Sequence, residues 1–330
     1  MYERTLLGGL VVAMAGVAAL VQAHAPGGLL PPPDRPDRTY EKRVVMGSPA
    51  YPREAIGADG VHTRIAHAPQ RIVSQFWSID EYLYAIVPPE RIVGVSETAY
   101  LQASSNVLPF VDRFHPVIAT DPEIVLRANP DLVLTDESAR WELPGLLRQA
   151  GVPVHRIYSR FETLQAIEDN IRLIGYLTGE DARAEQVRRD FHDAIARAAA
   201  MRPANAPAPR VLGLGGTHTY GRETLFNDVL RVLGAENVAA THGLIGYDGI
   251  TDEHIARWDP DWIIAGANRG QAAAVRAQLL ARPSVATTSA VRQGHVVVIE
   301  NDVFYPMSPY TSRLVGTLAG VLYGGADRGR

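Results

Sequence analysis

"DPEIVLRANPDLVLTD", residues 121 to 136, and "TDEHIARWDPDWIIAG", residues 251 to 266, are nearly the same sentence written 130 residues apart. Glu123 falls on Glu253, Arg127 on Arg257, Pro130 on Pro260 and Asp131 on Asp261, and an apolar run follows in both copies. Each copy reads as a short helix, a turn and a buried strand. Asp121 and Thr251 are N-cap residue types, Pro122 sits where a helix tolerates proline, and the first-turn glutamate is favoured by the helix dipole. Proline then stops each helix, and Asn-Pro-Asp or Asp-Pro-Asp turns launch the strands. Two lobes of like construction are implied, each presenting one equivalent glutamate. Taken alone, each glutamate is equally explained as a support for its own helix, and Arg127 and Arg257 as its i,i+4 partners.

Outward from the repeat, short aliphatic runs alternate with helical stretches: "RIVSQF" (71 to 76), "RIVGVS" (91 to 96), "DLVLTD" (131 to 136) and "VPVHRIY" (152 to 158). The same grammar resumes with "RVLGLGG" (210 to 216), "DWIIAG" (261 to 266) and "HVVVIE" (295 to 300). Continuous apolar strands separated by helices predict parallel sheets covered on both faces. Between the two sets, Ile167, Ile171, Ile174 and Leu177 fall at helical spacing, with a break at "LTGED" around Gly179. The fold class is therefore α/β, two doubly wound α/β lobes joined by one long helix.

The chain has 330 residues, 46% hydrophobic and 21% charged, which is enough for two cores and too apolar for disorder. A net charge of -4 gives no basic field for nucleic acid, and the absence of cysteine excludes thiolate metal sites, disulfides and a lipoprotein-type anchor. An apolar run from Thr5 to Val21 followed by "AHA" (23 to 25) reads as a signal peptide cleaved after Ala25, which directs the protein to the periplasm; an uncleaved membrane anchor is the alternative. The expected organisation is residues 1–25 signal peptide, 26–54 Pro-rich disordered tether, 55–160 N-terminal lobe, 161–202 linking helix and 203–330 C-terminal lobe.

"RIAHAPQRIVSQFWSIDEYLYAIVPPERIVGVS", then "DPEIVLRANPDLVL", "LTGEDARAEQV", "LGAENVA", "ITDEHIARWDPDWII" and "SAVRQGHVVVIEND" occur in an order that resembles the periplasmic substrate-binding proteins of ABC importers. The type resembled is the single-helix-linked, two-lobe class III family that carries cobalamin, ferric siderophores or haem, and the resemblance covers about residues 55 to 325. It implies a ligand held between two lobes, no enzyme activity and no resident cofactor or metal. It also implies a role for the repeated glutamates. In the family such a residue from each lobe pairs with arginines on the two permease subunits, so Glu123 and Glu253 become the expected contacts to a permease dimer driven by its own ATPase.

In a doubly wound lobe, ligands bind beyond the carboxyl ends of the strands. The loops expected there carry Trp77, Tyr100, Glu137, His218, Tyr220, Arg222, Tyr247, Arg269 and Tyr305, while Phe304 and Trp141 read as packing residues. Rings with a few charged groups suit a bulky metal chelate or corrinoid, which stacks on aromatics and meets guanidinium with its anionic edge. Two rival readings are weaker. "GLGGTHTYG" (213 to 221) follows a strand but lacks the third glycine and the later acidic residue of a dinucleotide site. Free zinc or manganese would need three or four ligands converging on the cleft; His115, His218 and His242 are candidates, but no histidine-rich loop accompanies them.

Overall fold

The computed structural model describes residues 50–119, 121–136, 142–158 and 162–324, so the expected signal peptide and most of the expected tether lie outside the described residues. Strands β1 (Arg53–Ile56) and β2 (His62–Ile65) form an antiparallel hairpin that begins within the stretch read as tether. Arg53 anchors it. Its guanidinium lies 4.7 Å from the Tyr51 ring centre and 5.0 Å from that of Tyr176, donates to the Tyr176 carbonyl and pairs with Asp181 at 2.8 Å.

The N-terminal lobe holds β3 (Ile72–Ser74), β4 (Ile92–Val95), β5 (Val117–Ile118), β6 (Leu132–Asp136) and β7 (Val154–Ile157). They run all parallel in the order β5-β4-β3-β6-β7. Their apolar runs are continuous because both faces are covered: Ile72, Leu132 and Leu134 enter one core, while Val73 and Val133 enter another with Val125 and Leu147.

The C-terminal lobe holds β8 (Arg210–Gly215), β9 (His218–Tyr220), β10 (Glu236–Asn237), β11 (Tyr247–Gly249), β12 (Trp262–Ala267) and β13 (Val296–Glu300). The order is β11-β9-β8-β12-β13, with β10 also on β8. Here the expectation of a parallel sheet holds only for β8, β10, β12 and β13; β9 and β11 are antiparallel. The chain reverses at once after β8 because Gly216 takes φ +71°, a left-handed turn that spares it a helical crossover.

The link between the lobes is a helix pair rather than one uninterrupted helix, Leu164–Thr178 and Asp181–Ala199, turning at Gly179 with φ +80°. Ile167, Ile171, Ile174 and Leu177 are fully buried, as their spacing predicts. The two helices approach so closely that a Cβ on Gly175 would stand 2.3 Å from that of Ala184. A C-terminal helix, Thr311–Tyr323, packs against the second of them.

The repeat has a mechanical meaning. In each lobe the short helix (Pro122–Arg127 or Asp252–Trp258) ends at a residue in the left-handed region, Asn129 at φ 47° and Asp259 at φ 40°, residue types that tolerate it. An arginine then ties the helix end down: Arg71 donates to the carbonyls of Ala128 and Asn129, and Arg210 to those of Trp258 and Asp259. The repeated aspartates return the clamp, Asp131 accepting from the Gln70 and Arg71 amides and Asp261 from the Arg210 amide.

Candidate functional site

The antiparallel extension of the C-terminal sheet builds an aromatic wall. Tyr247 of β11 stands directly opposite Tyr220 of β9, which sets their rings 5.6 Å apart, edge to face. His218 meets both rings, at 5.7 and 6.3 Å, and Tyr305, from the loop after β13, brings its hydroxyl to 3.1 Å from that of Tyr220. Phe226 and Phe304 support the wall from below, 5.2 and 5.8 Å from Tyr220.

The glycines of "GLGG" serve this wall. A Cβ on Gly213 would come within 2.6 Å of the Tyr220 ring, and one on Gly215 within 2.4 Å of His218 Nε2 and 2.5 Å of the Tyr220 hydroxyl. The rings lie on bare backbone, which explains a glycine turn that matched no nucleotide motif. The cavity beneath Tyr220, Tyr247, Phe304, Tyr305 and Met307 is only about 30 Å³, so the wall is a surface to lay a ligand on.

The wall is neutral at physiological pH. Burial drives the phenols of Tyr220 and Tyr305 upward, with Tyr305 adding to the effect on Tyr220. Tyr247 leaves half its surface open (51%) while its hydroxyl end is crowded, and desolvation, then Tyr305 and Glu162, push it up to about 12. Burial lowers the His218 imidazole, which favours its uncharged form.

On the other lobe, Trp77 opens helix Trp77–Ile86 at the end of β3, half-buried with its ring 5.8 Å from Phe76. Tyr100 is tied within its own lobe, donating to the Pro116 carbonyl at 2.6 Å. Glu137, with Arg140 and Trp141, lies outside the described residues. Arg222 does not join the tyrosine cavity; it is exposed and lines an open depression of about 380 Å³ with Asn227, Arg231, Glu236 and Thr241. Arg269 is committed across the lobes, donating to the Gln102 carbonyl at 2.8 Å and to Asp302 at 3.0 Å. Phe304 is buried, in keeping with a packing role.

Glu123 and Glu253 are both exposed, in the first turns of the two clamped helices. Glu123 faces Arg127 at 3.8 Å, whereas the Glu253 carboxyl is lowered by hydrogen bonds from its own backbone and from Thr251. His115 and His242 sit apart from the wall, His115 at a helix end and His242 stacked on Trp258. Among the described residues no three His, Asp or Glu side chains gather so as to hold a metal ion.

Two buried carboxylates escaped the sequence reading. Asp80 and Glu81, 1% and 5% exposed, lie in helix Trp77–Ile86, which follows β3. Asp80 accepts from the amide and hydroxyl of Ser96; Glu81 accepts from Ser308 at 2.6 Å and Asn106 at 2.7 Å. Burial raises each to about 7 against these hydrogen bonds. The available signal was the charged pair inside the apolar helical run "WSIDEYLYAI".

A family model described as periplasmic binding protein matches residues 72–303. A cobalamin-binding protein of Halobacterium salinarum is 26% identical over 290 residues, spanning 87% of this chain and 77% of that one. YvrC of Bacillus subtilis, an uncharacterized ABC transporter substrate-binding lipoprotein, is 25% identical over 263 residues, spanning 75% and 78%. Among solved structures, a periplasmic heme binding protein from Pseudomonas aeruginosa aligns with TM-score 0.66 at 28% identity, covering 78% of this chain and 94% of that one.

Proposed function

Because the chain belongs to the periplasmic binding protein family, we propose that it captures a bulky metal chelate in the cleft between its lobes and delivers it to an ABC transporter permease. The observation that carries this reading is the neutral wall of Tyr220, Tyr247, Tyr305 and His218 at the carboxyl end of the C-terminal sheet. Such a wall suits the face of a conjugated or ring-bound metal complex and offers little to a bare divalent ion. The names of the relatives, cobalamin-binding in one and heme binding in another, favour a tetrapyrrole-type ligand, haem or a corrinoid, ahead of a ferric siderophore.

The protein works outside the cytoplasm as a binding protein rather than an enzyme, with residues 1–25 removed on export. Trp77 and Tyr100 form the opposing side of the cleft, and Arg222, on the separate depression beside Asn227 and Glu236, meets an anionic edge only of a ligand that extends past the wall. Glu123 and Glu253 dock on arginines of the two permease subunits, and their equivalent positions on two like helices suit a partner with twofold symmetry. Release is then driven by the ATPase of the transporter.

Absorbance titration of the purified protein with hemin, cyanocobalamin and a ferric siderophore, beside calorimetry with free zinc and manganese, tests this. A saturable shift in a chelate spectrum is expected. Tight binding of a free ion that ignores Tyr247→Ala overturns the reading.

A further inference from the structure

The lobes are joined beside the cleft by a polar bridge. From the N-terminal lobe come Glu81 and the loop that follows β4; from the C-terminal lobe come Arg269, at the end of β12, and Asp302, Ser308 and Arg313 after β13. Asn106 is the hub. Its amide nitrogen donates to Glu81 Oε1 at 2.7 Å and to the Asp302 carbonyl at 2.9 Å, and its amide oxygen accepts from Arg313 at 2.6 Å. Ser308 donates to the second Glu81 oxygen, and Arg269 adds its guanidinium on the Gln102 carbonyl and its amide on the Ala103 carbonyl at 3.0 Å. Asp302 collects both arginines, Arg269 at 3.0 Å and Arg313 at 3.5 Å.

This bridge shares an element with the aromatic wall. Asp302 lies in the four-residue helix Asn301–Phe304, whose last residue supports Tyr220 and whose C-cap is Tyr305. A four-residue helix has almost no stability of its own, so its placement depends on what holds it from outside. One side is fixed by Gly266, where a Cβ would meet Asn301 at 2.6 Å and Phe304 at 3.0 Å. The bridge fixes the other.

We propose that Asn106, Arg269, Asp302 and Arg313 are positioning residues that set the aperture of the ligand cleft and hold Tyr305 against Tyr220, so that the cleft is preorganised for its ligand. The inference rests on the cleft being the ligand site. It assigns Arg269 to the bridge and away from the ligand itself. A preorganised cleft binds without first collecting a minor conformation, and losing that preorganisation divides affinity by the fraction of competent molecules.

Arg269→Met and Arg313→Met test it, since both side chains are nearly half exposed (42% and 45%) and their loss leaves the core intact. Each is titrated against whichever of hemin, cyanocobalamin or a ferric siderophore the wild type binds, and each unliganded form is compared with wild type by small-angle scattering. Each single variant is expected to lose about tenfold in affinity, the double variant little more than either, with broadened interlobe distances and a chelate spectrum that changes shape when bound. If Arg269→Met weakens binding while Arg313→Met binds as wild type does, Arg269 is a direct ligand contact and the bridge has no such role. Wild-type affinity and scattering in both variants also overturn the proposal and leave the ligand reading standing. A wild type that binds none of hemin, cyanocobalamin and a ferric siderophore overturns both together.

Discussion

The sharpest physical test concerns the buried carboxylate Asp80. It is 1% exposed, pairs with no cationic side chain among the described residues, and relies on Ser74 and Ser96 to hold its charge. Raising it from 3.8 to about 7 means that its ionised form is disfavoured in the folded protein by about 4 kcal/mol. The sign follows from proton linkage. Between these values the native state keeps a proton that the unfolded chain releases, so stability is highest below the unfolded value and is lost as pH rises through the folded one. Glu81, raised from 4.5 to about 7 by burial and then by Asp80 itself, acts in the same direction. Other carboxylates titrate the opposite way, so the informative quantity is the difference between wild type and Asp80→Asn, measured by urea unfolding across the pH range. The variant should gain on wild type by about 4 kcal/mol between about pH 4 and about pH 8, most of it between about pH 5 and about pH 7. A difference that stays flat within about 1 kcal/mol refutes the argument that Asp80 is desolvated without charge compensation.

Gly215→Ala should push Tyr220 and His218 off the sheet and weaken chelate binding about tenfold, whereas Gly249→Ala, where a Cβ meets nothing within 4 Å, should bind as wild type does in the same titration. Tyr247→Ala should weaken binding by about 1 kcal/mol or more with little change in melting temperature, since the ring is half open to solvent; unchanged affinity would remove it from the site. Reversing both rim glutamates, Glu123→Lys with Glu253→Lys, should leave ligand affinity within about twofold while transport into cells stops; loss of binding by the purified double variant would place them in the cleft instead.

What could be read from the chain alone was whatever depends on neighbours in sequence. Two α/β lobes followed from period and punctuation, and the repeat at residues 121 to 136 and 251 to 266 followed from caps and prolines that act within a few residues. The order of the family's segments carried the general function. Tertiary structure decided the rest. Tyr220 and Tyr247 are 27 positions apart and meet only because the sheet reverses at Gly216 and sets them opposite each other in register. Glycines that looked like a phosphate turn proved to be floor for rings, a contact with no local signature. Arg269 looked like any loop-tip cation, yet its partners, Gln102 and Asp302, are 167 and 33 positions away and become neighbours only once both lobes are built. Periodicity reports which face of an element is apolar; which polar group waits across a cleft is set by how the faces are assembled.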